Sequence, residues 1–122
     1  MKGCIAAGLE PDFWMKTLHK TNYWSATDTR EQDNLWCEDP EQTIAFMKTV
    51  KQPWIAFKTM SAGALKPEDA FGFAFENGAD FVCAGMYDFQ FVEDVNLAVN
   101  VLNGPLPRGH RLESLACWSP SS

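Results

Sequence analysis

The stretch from Pro53 to Met86 constrains the fold most strongly, because its four consecutive patterns describe one βαβ unit. They read PWIAFKTM, SAGAL, KPEDAFGFAFENG and ADFVCAGM. The run Trp54–Met60 holds aromatic and β-branched residues without a helix breaker, which is typical of a buried parallel strand. Phe81–Gly85 predicts a second buried strand on the same grounds. Parallel strands need a long crossover, so the segment between them should hold a helix.

The predicted crossover helix carries clear start and stop signals. Pro67 suits the first helical position, where no backbone donor is needed. Glu68 and Asp69 follow it and suit the positive end of the helix dipole. Asn77-Gly78 predicts the end of the helix. In the preceding loop, Gly63 relaxes the backbone.

A strand and a helix are expected before this unit. Asp12–Leu18 predicts a strand with alternating faces. Asp39 then has the character of an N-cap, Pro40 suits the first helical position and Gln42 suits a capping box. The polar connection from His19 to Glu38 is long for a compact domain, and such loops are usually functional or ordered on their own.

A last helix is expected after the second strand of the unit, with Asp88 as its cap and Asn103-Gly104 at its end. Its apolar residues follow helical spacing and predict one buried stripe. The stripe consists of Phe91, Val95, Ala98, Val99 and Leu102.

The sequence therefore predicts an α/β fold with about three βα units and parallel strands, equivalent to part of a TIM (β/α)8 barrel. Residues 1–104 would form the C-terminal part of such a barrel, and 105–122 a poorly ordered tail rich in Pro, Gly and Ser. Lys2–Glu10 reads as the last turns of a helix whose beginning is absent. Three strands cannot close a barrel, so we expect self-association or docking onto a missing N-terminal barrel segment.

Charge and composition exclude several classes of partner. The 122 residues carry a net charge of −6, which argues against nucleic acid. No apolar run approaches the roughly 20 residues of a membrane helix, so no membrane partner is expected. The four cysteines are scattered without a CxxC pair, which indicates reduced thiols in the cytoplasm and no metal site.

Three segments resemble known barrels. PWIAFKTMSAGALKPEDAFGFAFENGADFVCAGM resembles the closing strands of (β/α)8 barrels with a phosphate-binding face, and DFQFVEDVNLAVNVL resembles the end of aldo/keto reductase-like barrels. DFWMKTLH through AFKTMSAG is similar to an uncharacterised family of bacterial single-barrel proteins. The resemblance covers Gly8 to Leu102. Two departures stand against it: the reductases' catalytic tetrad cannot be assigned, and the loop has one glycine rather than two or three.

Loops that follow neighbouring barrel strands share one face and often bind phosphate through backbone N–H groups. Two short sets of residues, most of them small, meet this condition, and they are the candidate cofactor-binding residues. The alternative interpretation is that small side chains merely allow tight packing. The candidates are Ser61, Ala62, Gly63, Ala64, Gly85 and Met86.

Three further residues are candidate catalytic groups because they lie late in, or just after, the predicted strands. Lys58 would face the barrel lumen with Trp54 and Ala56, and could bind phosphate or act as an amine nucleophile. Lys16 and His19 would approach the same face, with His19 as a general base. The alternatives are a solvated or ion-paired Lys58 and a His19 that hydrogen-bonds within its loop.

The resemblance implies an enzyme-like barrel protein that binds a phosphorylated ligand, or a nucleotide cofactor such as NADP, at the carboxyl ends of its strands. An oxidoreductase is the first expectation. The alternatives are a lyase or isomerase acting on a phosphorylated sugar, and a non-catalytic fragment completed by a partner chain. The full-length barrel would be an enzyme, whereas this chain alone, as its C-terminal part, would be inactive.

Overall fold

The computed structural model describes residues 1–22 and 37–106. These residues form a mixed α/β structure with a three-stranded parallel sheet and four helices, which confirms the predicted class. In chain order the elements are helix α1 (Lys2–Ala6), strand β1 (Trp14–Thr17), helix α2 (Pro40–Met47), strand β2 (Trp54–Phe57), a 3₁₀ turn (Ser61–Gly63), helix α3 (Pro67–Glu76), strand β3 (Phe81–Cys83), a second 3₁₀ turn (Asp88–Gln90) and helix α4 (Phe91–Asn103).

The sheet follows chain order, β1-β2-β3, and all pairs are parallel. Trp14 lies opposite Trp54, and Ile55 lies opposite Phe81. The strands are shorter than predicted. β2 stops at Phe57 because the next residue turns into left-handed backbone, with φ of 57°.

The boundaries of α2 and α3 agree closely with the capping signals, whereas the start of α4 does not: α4 begins at Phe91 after a 3₁₀ turn, so Asp88 is not its cap. The Gln42 backbone N–H donates to Asp39 Oδ1 at 2.9 Å, so Asp39 caps α2 as predicted. α3 begins at Pro67 and is followed by Gly78, whose φ of 95° only glycine adopts readily. α4 ends at Asn103, also as predicted. Residues 23–36 of the long connection and 107–122 of the predicted tail lie outside the described residues.

The main core lies between the sheet and the helices, and it reverses one prediction. Trp54 and Ala56 are fully buried in a cluster that includes Ile44 and Met47 of α2 and Ala74 of α3. These two strand residues therefore face the helices and not a lumen. Burying the large Trp54 side chain is worth about 2–3 kcal/mol, which favours placing it under the helices.

The opposite face of the sheet is apolar and open to solvent. It presents Ile55 and Phe57, which alternate with the buried Trp54 and Ala56 along β2. Phe13, Met15 and Phe81 on the same face are each about half exposed, at 52%, 47% and 48%. β3 is therefore not the buried strand that the sequence predicted.

Helix α4 packs against α3 with a face that is shifted from the predicted stripe. Ala98 and Leu102 contact the cluster of Phe71 and Phe75, and Leu97 and Val101 join them. The remaining predicted stripe residues, Phe91, Val95 and Val99, are exposed. The apolar arc of α4 is wider than one neighbouring helix can cover.

No helix in the described part of the chain is both long and apolar enough to cross a membrane.

Candidate functional site at the carboxyl ends of the strands

A cleft of about 840 Å³ opens beside the carboxyl ends of β2 and β3. Its walls are residues 57–67 and 83–87, with Gln90 of the second 3₁₀ turn and Asp94 of α4. All six candidate cofactor-binding residues line it, and so does Lys58. The structure thus brings together the two loops that the sequence had singled out.

The backbone beside the cleft is strained. Lys58, Ser61 and Ala62 have φ of 57°, 49° and 56°, and they are the non-glycine residues with positive φ in the described ranges. A non-glycine residue in this region costs on the order of 1–3 kcal/mol. Such strain concentrates at ligand sites and switches, because the surrounding structure must hold it in place.

Most amides of the 3₁₀ turn are already engaged. The N–H groups of Ser61 and Gly63 donate to the carbonyls of Lys58 and Met60 at 3.1 and 3.0 Å. The N–H of Ala64 donates to Ser61 O at 3.3 Å. In this conformation these amides do not form the expected phosphate cradle. An anion would depend more on the lysine side chains that line the cleft.

Three buried polar atoms in the cleft walls lack hydrogen-bond partners within the described residues: Thr59 Oγ1, Ser61 Oγ and Asp94 Oδ2. Their residues are only 1%, 4% and 3% exposed. An unsatisfied buried polar group costs about 1–3 kcal/mol and is uncommon in folded proteins. Three of them in the walls of one cleft mark this region as the most unusual of the described structure.

Sequence reasoning singled out Ser61 but missed Thr59 and Asp94. A signal for Asp94 was present in α4. Asp94 lies three and four residues before Leu97 and Ala98, so it shares their buried face. A carboxylate on the apolar face of a helix is rarely buried without a partner.

His19 lies outside the cleft walls and is almost fully buried. Its Nδ1 lies 3.0 Å from the carbonyl of Lys20, and its Nε2 accepts the Cys37 backbone N–H at 2.9 Å. This pattern fits the neutral ring with its proton on Nδ1. The geometry matches the alternative interpretation, in which His19 hydrogen-bonds within its loop. A general-base role would require Nε2 to give up Cys37.

Burial lowers the pKa of His19, and the nearby ammonium groups of Lys58 and Lys16 lower it further, against an opposing hydrogen bond with the Lys20 carbonyl. The three candidate catalytic residues are therefore electrostatic neighbours. Only Lys58 lines the cleft. Its Nζ lies 5.6 Å from the centroid of the Phe57 ring.

Lys16 is half-buried in β1, and its carbonyl accepts the Trp54 indole N–H at 3.3 Å. The described residues contain no group of three or more His, Cys, Asp or Glu side chains that could hold a metal ion.

No family model matches the sequence, and neither a curated protein nor a solved structure matches it significantly. The barrel resemblance therefore stays a hypothesis.

Proposed function

We propose that the protein binds a small phosphorylated ligand in the cleft at the carboxyl ends of β2 and β3. The observation that supports this most is the convergence of the loop at residues 61–64, Gly85, Met86 and Lys58 on one cleft with strained walls. Parallel α/β structures bind ligands at this edge of the sheet, because the loops there vary without disturbing the core.

Charge supports an anionic ligand locally. Lys58 and Lys66 both line the cleft, although the whole chain carries a net charge of −6. Ammonium groups bind phosphate as point charges without strict geometry. The cleft volume of about 840 Å³ lies within the range of ordinary small-molecule sites.

Enzymatic activity is part of the same proposal. Binding of NADP would favour an oxidoreductase, and binding of a sugar phosphate without the nucleotide would favour a lyase or isomerase. Lys58 is the candidate catalytic residue that lines the cleft, so it would act on a carbonyl or phosphate of the ligand.

Calorimetric titration with ribose 5-phosphate and with NADPH tests the proposal. We expect one of the two to bind, and Lys58→Met to weaken that binding at least about tenfold, which is 1.4 kcal/mol. Lys51→Met is the matched control, because Lys51 is exposed and precedes β2 at the other end of the strand. Absence of binding by both probes would contradict the proposal, as would equal effects of the two substitutions.

The open face of the sheet supports a second candidate function, an interaction fragment that a partner chain completes. Phe13, Met15 and Phe81 are exposed there, and β1 and β3 are the outer strands of the described sheet. Outer strands with apolar side chains invite further strand pairing. Sedimentation equilibrium tests this: the mass should rise with concentration, whereas a constant monomer mass would contradict self-association.

A further inference from the structure

The three unpartnered polar atoms of the cleft call for different ligand groups from those that its lysines bind. Asp94 is an acceptor when ionised, whereas the hydroxyls of Thr59 and Ser61 both donate and accept. All three residues are more than nine-tenths buried and line the same cleft. They come from separate segments, since Asp94 belongs to α4 and the other two follow β2.

A ligand group that satisfies this set must donate to the carboxylate and also exchange hydrogen bonds with hydroxyls. A phosphate offers mainly acceptors at neutral pH, and Asp94 would repel it. An ammonium group would satisfy Asp94 but could accept nothing from Thr59 or Ser61. An alcohol hydroxyl donates and accepts, so it matches all three.

We propose that Thr59, Ser61 and Asp94 recognise the hydroxyl groups of the ligand, which is therefore a phosphorylated sugar or polyol. This inference rests on the proposed function, in which Lys58 and Lys66 hold the phosphate. The ligand then carries an anionic end and a hydroxyl-bearing end. The same cleft binds both ends.

The test compares ribose 5-phosphate, propyl phosphate and inorganic phosphate by calorimetric titration. Propyl phosphate has a similar charge and a carbon chain but no free alcohol hydroxyl. Ribose 5-phosphate should bind the unmodified protein at least tenfold more tightly than propyl phosphate. In the double variant Thr59→Val/Ser61→Ala the ratio should fall towards one, because ribose 5-phosphate should lose far more affinity than propyl phosphate.

Stability distinguishes recognition from a structural role. The hydroxyls of Thr59 and Ser61 have no partner in the described residues, so the double variant should keep or raise its melting temperature. The matched control is Thr49→Val, which removes a hydroxyl just after α2 that donates to the carbonyl of Phe46, within α2, at 2.7 Å. That control should lower the melting temperature and leave the binding ratio unchanged.

The outcomes separate this inference from the proposed function. Equal binding of ribose 5-phosphate and propyl phosphate would overturn hydroxyl recognition and leave phosphate binding intact. If the double variant still preferred ribose 5-phosphate to propyl phosphate, the inference would also be overturned, because other residues would then bind the hydroxyl groups. Absence of binding by all three probes would overturn this inference, and the proposed function would fall as well only if NADPH also failed to bind.

Discussion

The two ends of the sheet treat polar groups in opposite ways. At the amino end, Asp80 Oδ2 accepts the Trp54 backbone N–H at 2.8 Å, and the Asp80 N–H donates to the Trp54 carbonyl at 2.9 Å. At the carboxyl end, the polar atoms of Thr59, Ser61 and Asp94 lie buried without partners in the described residues. The amino end joins β2 and β3 through satisfied bonds, whereas the cleft at the carboxyl ends of the same two strands holds uncompensated buried polar groups.

This contrast is the one expected when the two ends have different roles. The amino end of a parallel sheet contributes stability, and its carboxyl end carries the variable site. Unsatisfied polar atoms and strained backbone reduce the stability of the fold. Their concentration beside the cleft therefore favours a functional role for these residues over a stabilising one. Substitutions at each end can break or sharpen the comparison.

The largest expected effect is at the amino end. Asp80→Ala leaves the buried N–H of Trp54 without its acceptor, which should cost about 2–3 kcal/mol of unfolding free energy. Urea denaturation followed by circular dichroism measures it. Asp80→Asn keeps an acceptor oxygen and should cost clearly less. Equal losses in both variants would show that the charge, rather than this hydrogen bond, matters.

A smaller loss is expected in the cleft loop. Gly63 has φ of 89°, so Gly63→Val should cost about 1–2 kcal/mol through backbone strain, although nothing lies within 4 Å of its added Cβ. Binding of ribose 5-phosphate should fall as the loop changes shape, while secondary structure remains. Gly85→Val is the control for stability, because Gly85 has ordinary φ and equally open surroundings. Unchanged affinity in Gly63→Val would contradict a ligand site at this loop.

The elements with local signals could be predicted from the sequence. Asp39, Pro67 and Gly78 mark helix ends through bonds and dihedral angles that depend on near neighbours in the chain. The parallel pairing of sequential strands followed from the crossover helix. The same topology predicted that the loops after β2 and β3 lie next to each other at the cleft.

The orientation of the sheet could not be predicted in this way. Alternation in β2 separates Trp54 and Ala56 from Ile55 and Phe57, but both sets are apolar, so the pattern does not say which set the helices cover. Asp94 shares helical spacing with the apolar Leu97 and Ala98, but the spacing alone does not say that α4 lies with this face against its neighbours. The lengths of the strands and the width of the apolar stripe on α4 are likewise decided by tertiary packing.

The pH dependence of stability tests the carboxyl end of β1, where both ring nitrogens of the buried His19 have hydrogen-bond partners. Burial lowers the pKa of His19 below its usual 6.5, so the folded state binds fewer protons than the unfolded state in the window below pH 6.5. The stabilisation is complete above pH 6.5 and is lost as pH falls through the folded-state pKa. The loss is about 1.4 kcal/mol for each unit of pKa difference.

Urea denaturation at pH 7.5 and pH 5.5 checks this expectation. The unmodified protein should lose stability between the two values. His19→Asn carries no titrating ring, so its stability should change less over the same interval. An identical pH dependence in the variant would show that the ring is not the group responsible.

The smallest expected effect is a gain, and it tests the strain itself. Ala62 has φ of 56°, which costs a non-glycine residue about 1–2 kcal/mol, so Ala62→Gly relieves this cost. Glycine loses about 0.5–1 kcal/mol in chain entropy, which leaves a net gain of about 0.5 kcal/mol. Ala64 is the matched control, because it lines the same cleft with an ordinary φ of −71°. Ala64→Gly should lose stability where Ala62→Gly gains it, and losses of equal size would show that the loop is not strained.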